Sequence, residues 1–228
     1  MRVNAPVPGK GAIRIRYDRW STDIAEMQQE LASHIGHHAS GNETHQTAIS
    51  ELAFIRSDRP LPLTHSIYEP SLCIIAQGSK NVILGSENYH YEPASYLIAS
   101  VKLPITGQVV EATPERPYLS LRLQFRTDQI MDVAVRTEQE PAGRKAAGRG
   151  LQVHRIGAPM LEAVLRLVRL LDQEQDIPVL APLFIREIVY RILQDEQGGA
   201  SFRQFAMPGS QAGRIAEVVA YLRGPRPA

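Results

Sequence analysis

Seven histidines, one cysteine and eight tyrosines are the side chains of this 228-residue sequence with the most chemistry to offer. A metal-dependent enzyme on a small β-barrel needs two or three histidines and a carboxylate meeting at one point. Only His65 and His90 fall in the strand-rich middle of the chain, with Glu69 available as a third ligand. His90 stands between Tyr89 and Tyr91, with no second histidine two positions away. A metal-dependent cupin-type enzyme is therefore the competing reading and not the main one. His34, His37, His38 and His45 gather near the end of a helical stretch and read as polar surface, so no metal site is expected. A Gly-x-Ser-x-Gly elbow and a glycine-rich phosphate loop are both lacking. Cys73 sits in Leu72-Cys73-Ile74-Ile75, where a thiol serves as a small buried hydrophobe. The sequence thus implies no cofactor and no enzyme.

Binding remains. Tyr68, Glu69, Gln77, Lys80, Tyr89, Tyr91 and Tyr96 put polar tips among apolar strands and are the candidate ligand-binding residues. A small barrel can enclose one small molecule, oriented by a few such groups. Nucleic acid is a poor partner for these residues. Lys plus Arg total 25 and Asp plus Glu total 24, a formal net charge of +1, whereas phosphate binding needs a basic excess. The cluster Arg144, Lys145 and Arg149 is spaced by Gly143, Gly148 and Gly150 and reads as a solvated connector.

The elements that must position these residues fall into three groups. Residues 1–20 hold Pro6, Pro8, Gly9 and Gly11 and read as a loose leader. They contain no apolar secretory signal, and no apolar run approaches the ~20 residues of a spanning helix. With a single cysteine, this points to a cytoplasmic protein without membrane contact. Trp20, Ile24, Met27, Leu31 and Ile35 then recur at helical spacing.

Short apolar runs broken by proline and glycine predict eight strands: 52–56, 65–69, 72–77, 81–84, 88–91, 96–101, 105–110 and 118–125. In the last, Leu119, Leu121, Leu123 and Phe125 alternate with Ser120, Arg122 and Gln124, predicting one buried and one wet face. Two amphipathic helices follow. Leu161, Val164, Leu165 and Val168 stripe the first, and Leu183, Ile188 and Ile192 the second, with Pro178 suited to a first turn. A short polar link should set them antiparallel. A further short helix is predicted near 211–223.

Several longer motifs carry a resemblance. They are Phe54-Ile-Arg-Ser-Asp-Arg-Pro60, Tyr68-Glu-Pro-Ser-Leu-Cys73, Ala76-Gln-Gly-Ser-Lys80, Tyr89-His-Tyr91 with Tyr96-Leu97, and Leu103-Pro-Ile-Thr-Gly107. Glu111-Ala112, Arg116-Pro-Tyr-Leu119, Asp176-Ile-Pro-Val-Leu-Ala-Pro182 and Glu187-Ile-Val-Tyr-Arg191 continue it. With these motifs the chain resembles the N-terminal region of AraC-type transcription regulators, from about residue 20 to residue 223. The resemblance implies an α+β fold: a cupin-like antiparallel β-barrel or jelly roll with an N-terminal helix and a C-terminal antiparallel helix pair.

It also implies a division of the chain: a leader over 1–20, a helix plus sensor barrel over 21–150, a helical dimerisation region over 151–205, and a linker with a first-helix stub over 206–228. Arg214-Ile-Ala-Glu-Val-Val-Ala-Tyr-Leu-Arg223 resembles the first helix of the family's helix-turn-helix DNA reader. The recognition helix that enters the major groove would follow it, so DNA contact is expected only through a domain that this sequence lacks. The resemblance implies two partners: a second copy of the chain, met through Leu161, Val164, Leu165, Val168, Leu183, Ile188 and Ile192 of the helix pair, and a small-molecule effector. A dominant-negative partner of a full-length regulator is the alternative role.

Overall fold

The proline and glycine breaks separate strands where the sequence marks them. In the computed structural model, which describes residues 12–137, 150–195, 199 and 202–203 and side chains from residue 23, the chain begins with helix α1, Ala12–His38. The strands β1 (Thr44–Gln46), β2 (Leu52–Ser57), β3 (Thr64–Tyr68), β4 (Ser71–Gln77) and β5 (Ser79–Leu84) follow. Next come β6 (Glu87–Tyr91), β7 (Ser95–Ala99), β8 (Leu103–Glu111) and β9 (Tyr118–Gln124). Helix α2 (Thr127–Arg136), strand β10 (Leu151–Arg155) and helices α3 (Ala158–Arg169) and α4 (Ile177–Gln194) complete the order. Two 3₁₀ turns, Leu170–Asp172 and Glu174–Asp176, join the last two helices.

Two antiparallel sheets form. The larger has the order β1-β2-β9-β4-β7-β10 and the smaller β3-β8-β5-β6. The chain passes from one to the other at Gly78, between β4 and β5. Its φ is +83°, and a Cβ there would lie 2.4 Å from the Glu111 carbonyl oxygen. Only glycine fits such a corner. This is the α+β, cupin-like barrel expected from the resemblance.

The large sheet is covered on both faces. Leu52, Phe54, Leu72, Ile74, Leu121 and Leu123 point to a helical layer that contributes Leu31 and Ile35 of α1 and the inner faces of α3 and α4. The alternate residues of the same strands, among them Cys73, Ile75, Leu97 and Tyr118, point to the small sheet. The polar side of β9 is therefore not a wet outer face. Ser120 is buried, and Arg122 looks into the space between the sheets, because a second sheet lies where solvent was expected.

α1 starts within the stretch read as a leader, since nothing after Gly11 breaks a helix. Arg166 in the middle of α3 binds Glu187 of α4, and Met160 near the start of α3 shares a surface with Gln194 at the end of α4. That pairing sets the two helices antiparallel, with Pro178 in the first turn of α4 as its rigid φ favours. No helix among the described residues is long and apolar enough to cross a membrane. Trp20, the connector around Arg144, Lys145 and Arg149, and the stretch 206–228 lie outside the described side chains.

Candidate functional site

A cavity of about 240 Å³ opens between the two sheets. β3 supplies Tyr68, β4 Cys73, β5 Lys80, β6 Tyr91, β8 Gly107 and Val109, and β9 Tyr118, Ser120 and Arg122. Alternation explains the set: each side chain is the inward member of its strand. Lys80 donates from Nζ to the Tyr68 hydroxyl at 3.1 Å and lies 5.7 Å from that ring's centre. Arg122 neighbours Cys73 across the β4–β9 pairing. Its Nε is buried and makes no hydrogen bond.

The electrostatics of this space are one-sided. Burial pushes the Tyr68 hydroxyl far above its ordinary range, and the neighbouring Cys73 adds to the rise. Tyr91 is raised by burial, reinforced by Tyr118, Tyr68 and Cys73, and Tyr118 is pushed up to about 12 by burial. Burial likewise raises the Cys73 thiol, although Lys80 and Arg122 pull against it. These four groups therefore stay neutral near neutral pH. The Lys80 and Arg122 cations set the charge, and among the described residues no carboxylate lines the cavity with them. Among the described residues neither cation has an ion-pair partner. Lys80 and Arg122 are half-buried, and a charge partly withdrawn from water without a counter-charge costs stability, so an anion is the complement such a wall accepts.

A larger groove of about 510 Å³ lies beside α2 and α4. Its charges answer one another: Arg126 binds Asp128, and Arg186 binds Asp132. A shallow groove on the outer face of the small sheet holds His65, Ile67 and Thr106. Neither shows two cations without a carboxylate among its described residues, as the inter-sheet cavity does.

Of the seven sequence candidates, Tyr68, Lys80 and Tyr91 line the cavity. Glu69 pairs with Lys102 at 2.7 Å on the surface. Gln77 donates to the Pro117 carbonyl at 2.7 Å, and Tyr89 donates to Glu87. Tyr96 faces the helices instead, donating to Asp195 at 3.1 Å beside His154. Tyr118, Ser120 and Arg122 also line it without having been sequence candidates; β9 alternates plainly, but its pattern does not say what covers its polar side. His65 bonds Thr106 and His90 bonds Asn81, each on the exposed side of the small sheet. With Glu69 held by Lys102, these three do not meet as metal ligands.

The expected dimerisation residues divide sharply. Leu161, Val164, Leu165, Val168, Ile188 and Ile192 are at most 1% exposed and build the core beneath the large sheet. Leu183 is 55% exposed. It shares a stripe along α4 with Val179 and Tyr190, which are also exposed.

Two facing antiparallel sheets, a polar cavity between them and a helical back layer define a cupin-like barrel built around a small internal site. Residues 48–200 match the family of the AraC-type transcriptional regulator N-terminus, well over half of the chain, and the chain belongs to that family. No curated protein sequence matches it. Among solved structures, ToxT of Vibrio cholerae strain SCE256 bound to an unsaturated fatty acid aligns with a TM-score of 0.51 at 8% identity, covering 81% of this chain and 65% of that one. ToxT of Vibrio cholerae O395, bound to a naphthalenyl butenoic acid, aligns with a TM-score of 0.49 at 9% identity, covering 75% and 66%. The AraC-like transcriptional activator CuxR gives 0.35 at 9% identity, covering 76% and 60%. The chain thus spans about two thirds of the length of these structures, and the first of them shows the shared fold.

Proposed function

We propose that this chain is the effector-binding and dimerisation module of an AraC-type regulator, and that a small anionic molecule binds between its sheets. The observation that carries the reading is the pair Lys80 and Arg122, facing one cavity that no carboxylate among the described residues shares. Its volume of about 240 Å³ falls just below the ~300–1,000 Å³ of drug-sized sites, so the occupant is small. Arg122 offers a planar fork to a carboxylate or phosphate, and Lys80 a point charge. The tyrosine hydroxyls of Tyr68, Tyr91 and Tyr118 supply neutral donors around them. The fatty acid of ToxT, which shares the fold, is likewise a carboxylate.

In this reading residues 21–150 sense and 151–205 associate, through the exposed stripe of α4 rather than its buried face. DNA contact belongs to the region that begins near Arg214, not to the barrel.

The test is a thermal-shift panel of small carboxylates, phosphates and sulfonates, each beside an uncharged amide or alcohol of the same shape. A saturable rise in Tm for an anion, absent for its neutral twin and lost in Arg122→Leu, is expected. Equal shifts from neutral twins, or none from any anion, would overturn the anionic reading.

A further inference from the structure

Glu30, His34 and His38 recur every four residues along α1 and so share one face. Opposite them stands Asp172, in the 3₁₀ turn that follows α3. His34 Nδ1 lies 3.5 Å from Asp172 Oδ2, and His38 Nε2 lies 3.2 Å from Asp172 Oδ1. One ligand atom from each of the three lies within 4.8 Å of the others. The geometry points to a transition-metal site formed by His34, His38 and Asp172, with zinc(II) the fitting ion.

Three observations support it. First, a tetrahedral ion with bonds of about 2.0–2.1 Å to nitrogen and oxygen has ligand–ligand edges of about 3.3 Å. The His34 and His38 nitrogens stand 3.5 and 3.2 Å from the two oxygens of the Asp172 carboxylate, each near that edge, so a small turn of the carboxylate brings one oxygen to both. Second, the far nitrogen of His34, Nε2, faces Glu30 Oε1 at 3.7 Å. Arg169 in turn fixes Glu30 through contacts of 2.7 and 2.9 Å. A carboxylate behind a histidine is the recurrent support of a metal ligand, because it sets the tautomer and raises the basicity of the coordinating nitrogen. Third, the local charges suit a cation. Glu30, Glu162 and Asp172 outnumber Arg169 on this face. Two imidazoles and one carboxylate select zinc, nickel, cobalt or copper over magnesium or calcium.

Three protein ligands would leave the fourth position of a tetrahedral ion to water or an outside ligand. In the sequence these histidines stand without a nearby carboxylate partner on the far side, because Asp172 lies 134 residues beyond His38. Metal binding would tie the end of α1 to the junction of α3 and α4, across the back of the helical layer.

The experiment uses the untagged chain, titrated with zinc chloride in a non-chelating buffer by calorimetry, with thermal melts alongside. One zinc per chain is expected, with a rise in Tm that EDTA reverses. His34→Ala, His38→Ala and Asp172→Asn should each weaken binding at least tenfold, while Glu30→Gln costs about 10–100-fold. His37→Ala, one step off the face, should leave binding unchanged. Metal-free melts of each variant show whether it folds, and the isosteric Asp172→Asn keeps the test open should a histidine variant not. Absence of saturable binding, or binding that survives in folded Asp172→Asn or in His34→Ala/His38→Ala, would overturn the assignment.

Discussion

The Lys80 ammonium reaches the Tyr68 hydroxyl by lying across the bare backbone of Gly107. A Cβ at 107 would come 3.0 Å from Lys80 Cε and 3.4 Å from Nζ. Position 107 thus sets where one of the two cavity cations rests. In Gly107→Ala the flexible lysine stem gives way, so stability should change by less than about 1 kcal/mol. Affinity for a binding anion should nevertheless fall several-fold. A variant that binds as the parent does, measured by calorimetry with an anion from the thermal-shift panel, would show that Lys80 is not a contact.

In the proposed reading Arg122 serves binding at the expense of stability. Its buried Nε has no partner, and its cation has no counter-charge in the cavity. Arg122→Leu removes an uncompensated group, so the unliganded protein should gain about 1 kcal/mol while losing its response to anions. Denaturant melts with and without the anion check both halves. A large loss of stability in the unliganded variant would mean that the arginine is structural.

The corner at Gly78 is steric rather than chemical. Its positive φ and the close Glu111 carbonyl leave no room for a methyl group. Gly78→Ala should cost at least about 2 kcal/mol. For a chain of this size that lowers Tm by roughly 4–8 °C. Gly85 has φ +61° but open space around it, so Gly85→Ala should cost less. Equal losses at both sites would contradict this account.

Acid should weaken the fold in two stages. Burial holds the His154 imidazole below its ordinary 6.5, with Asp195 partly offsetting it. The unfolded chain therefore takes up a proton that the folded one resists, and stability falls as pH drops below about 6.5. Glu187 behaves differently: burial raises it, but hydrogen bonds from Arg191 and Arg166 outweigh that and hold it below 4.5. Its share of stability is present above about pH 4.5 and is lost as pH falls through its folded value. Denaturant midpoints across pH should show both declines, with His154→Gln flattening the first and Glu187→Gln the second. A single decline below pH 4.5 in the parent would sink the His154 assignment.

The eight strands were legible because alternation and proline or glycine breaks are local signals. β1 is three residues long and carries no pattern, and α2 buries only Ile130 and Val133. β10 follows the glycine-rich connector and is an edge strand, paired to β7 alone. The cavity was half legible. Tyr68, Lys80 and Tyr91 stood out by type, but Arg122 looked like the wet side of an amphipathic strand. Periodicity separates two faces; it does not say that a second sheet covers one of them. The same limit moved Tyr96 to the helical side, where it meets Asp195 from far along the chain.

That limit also bears on association. Leu161, Val164, Leu165, Val168, Ile188 and Ile192 are apolar at helical spacing because they face the large sheet and one another. Leu165→Ala should cost about 2–5 kcal/mol of folding stability through the cavity it leaves. Val179, Leu183 and Tyr190 are apolar, exposed and on one stripe of α4, beside the ion pair of Arg186 with Asp132. Contiguous exposed apolar surface rimmed by charge marks contact with another protein, and a two-fold axis would place the same stripe on both copies. Sedimentation at tens of micromolar should show a dimer for the parent. Leu183→Glu should give a monomer whose Tm, extrapolated to low concentration, falls by little, because more than half of the side chain is exposed on its own chain. Tyr190→Ala should weaken the dimer without abolishing it. A monomeric parent, or a Leu183→Glu protein that stays dimeric, would remove α4 from the interface.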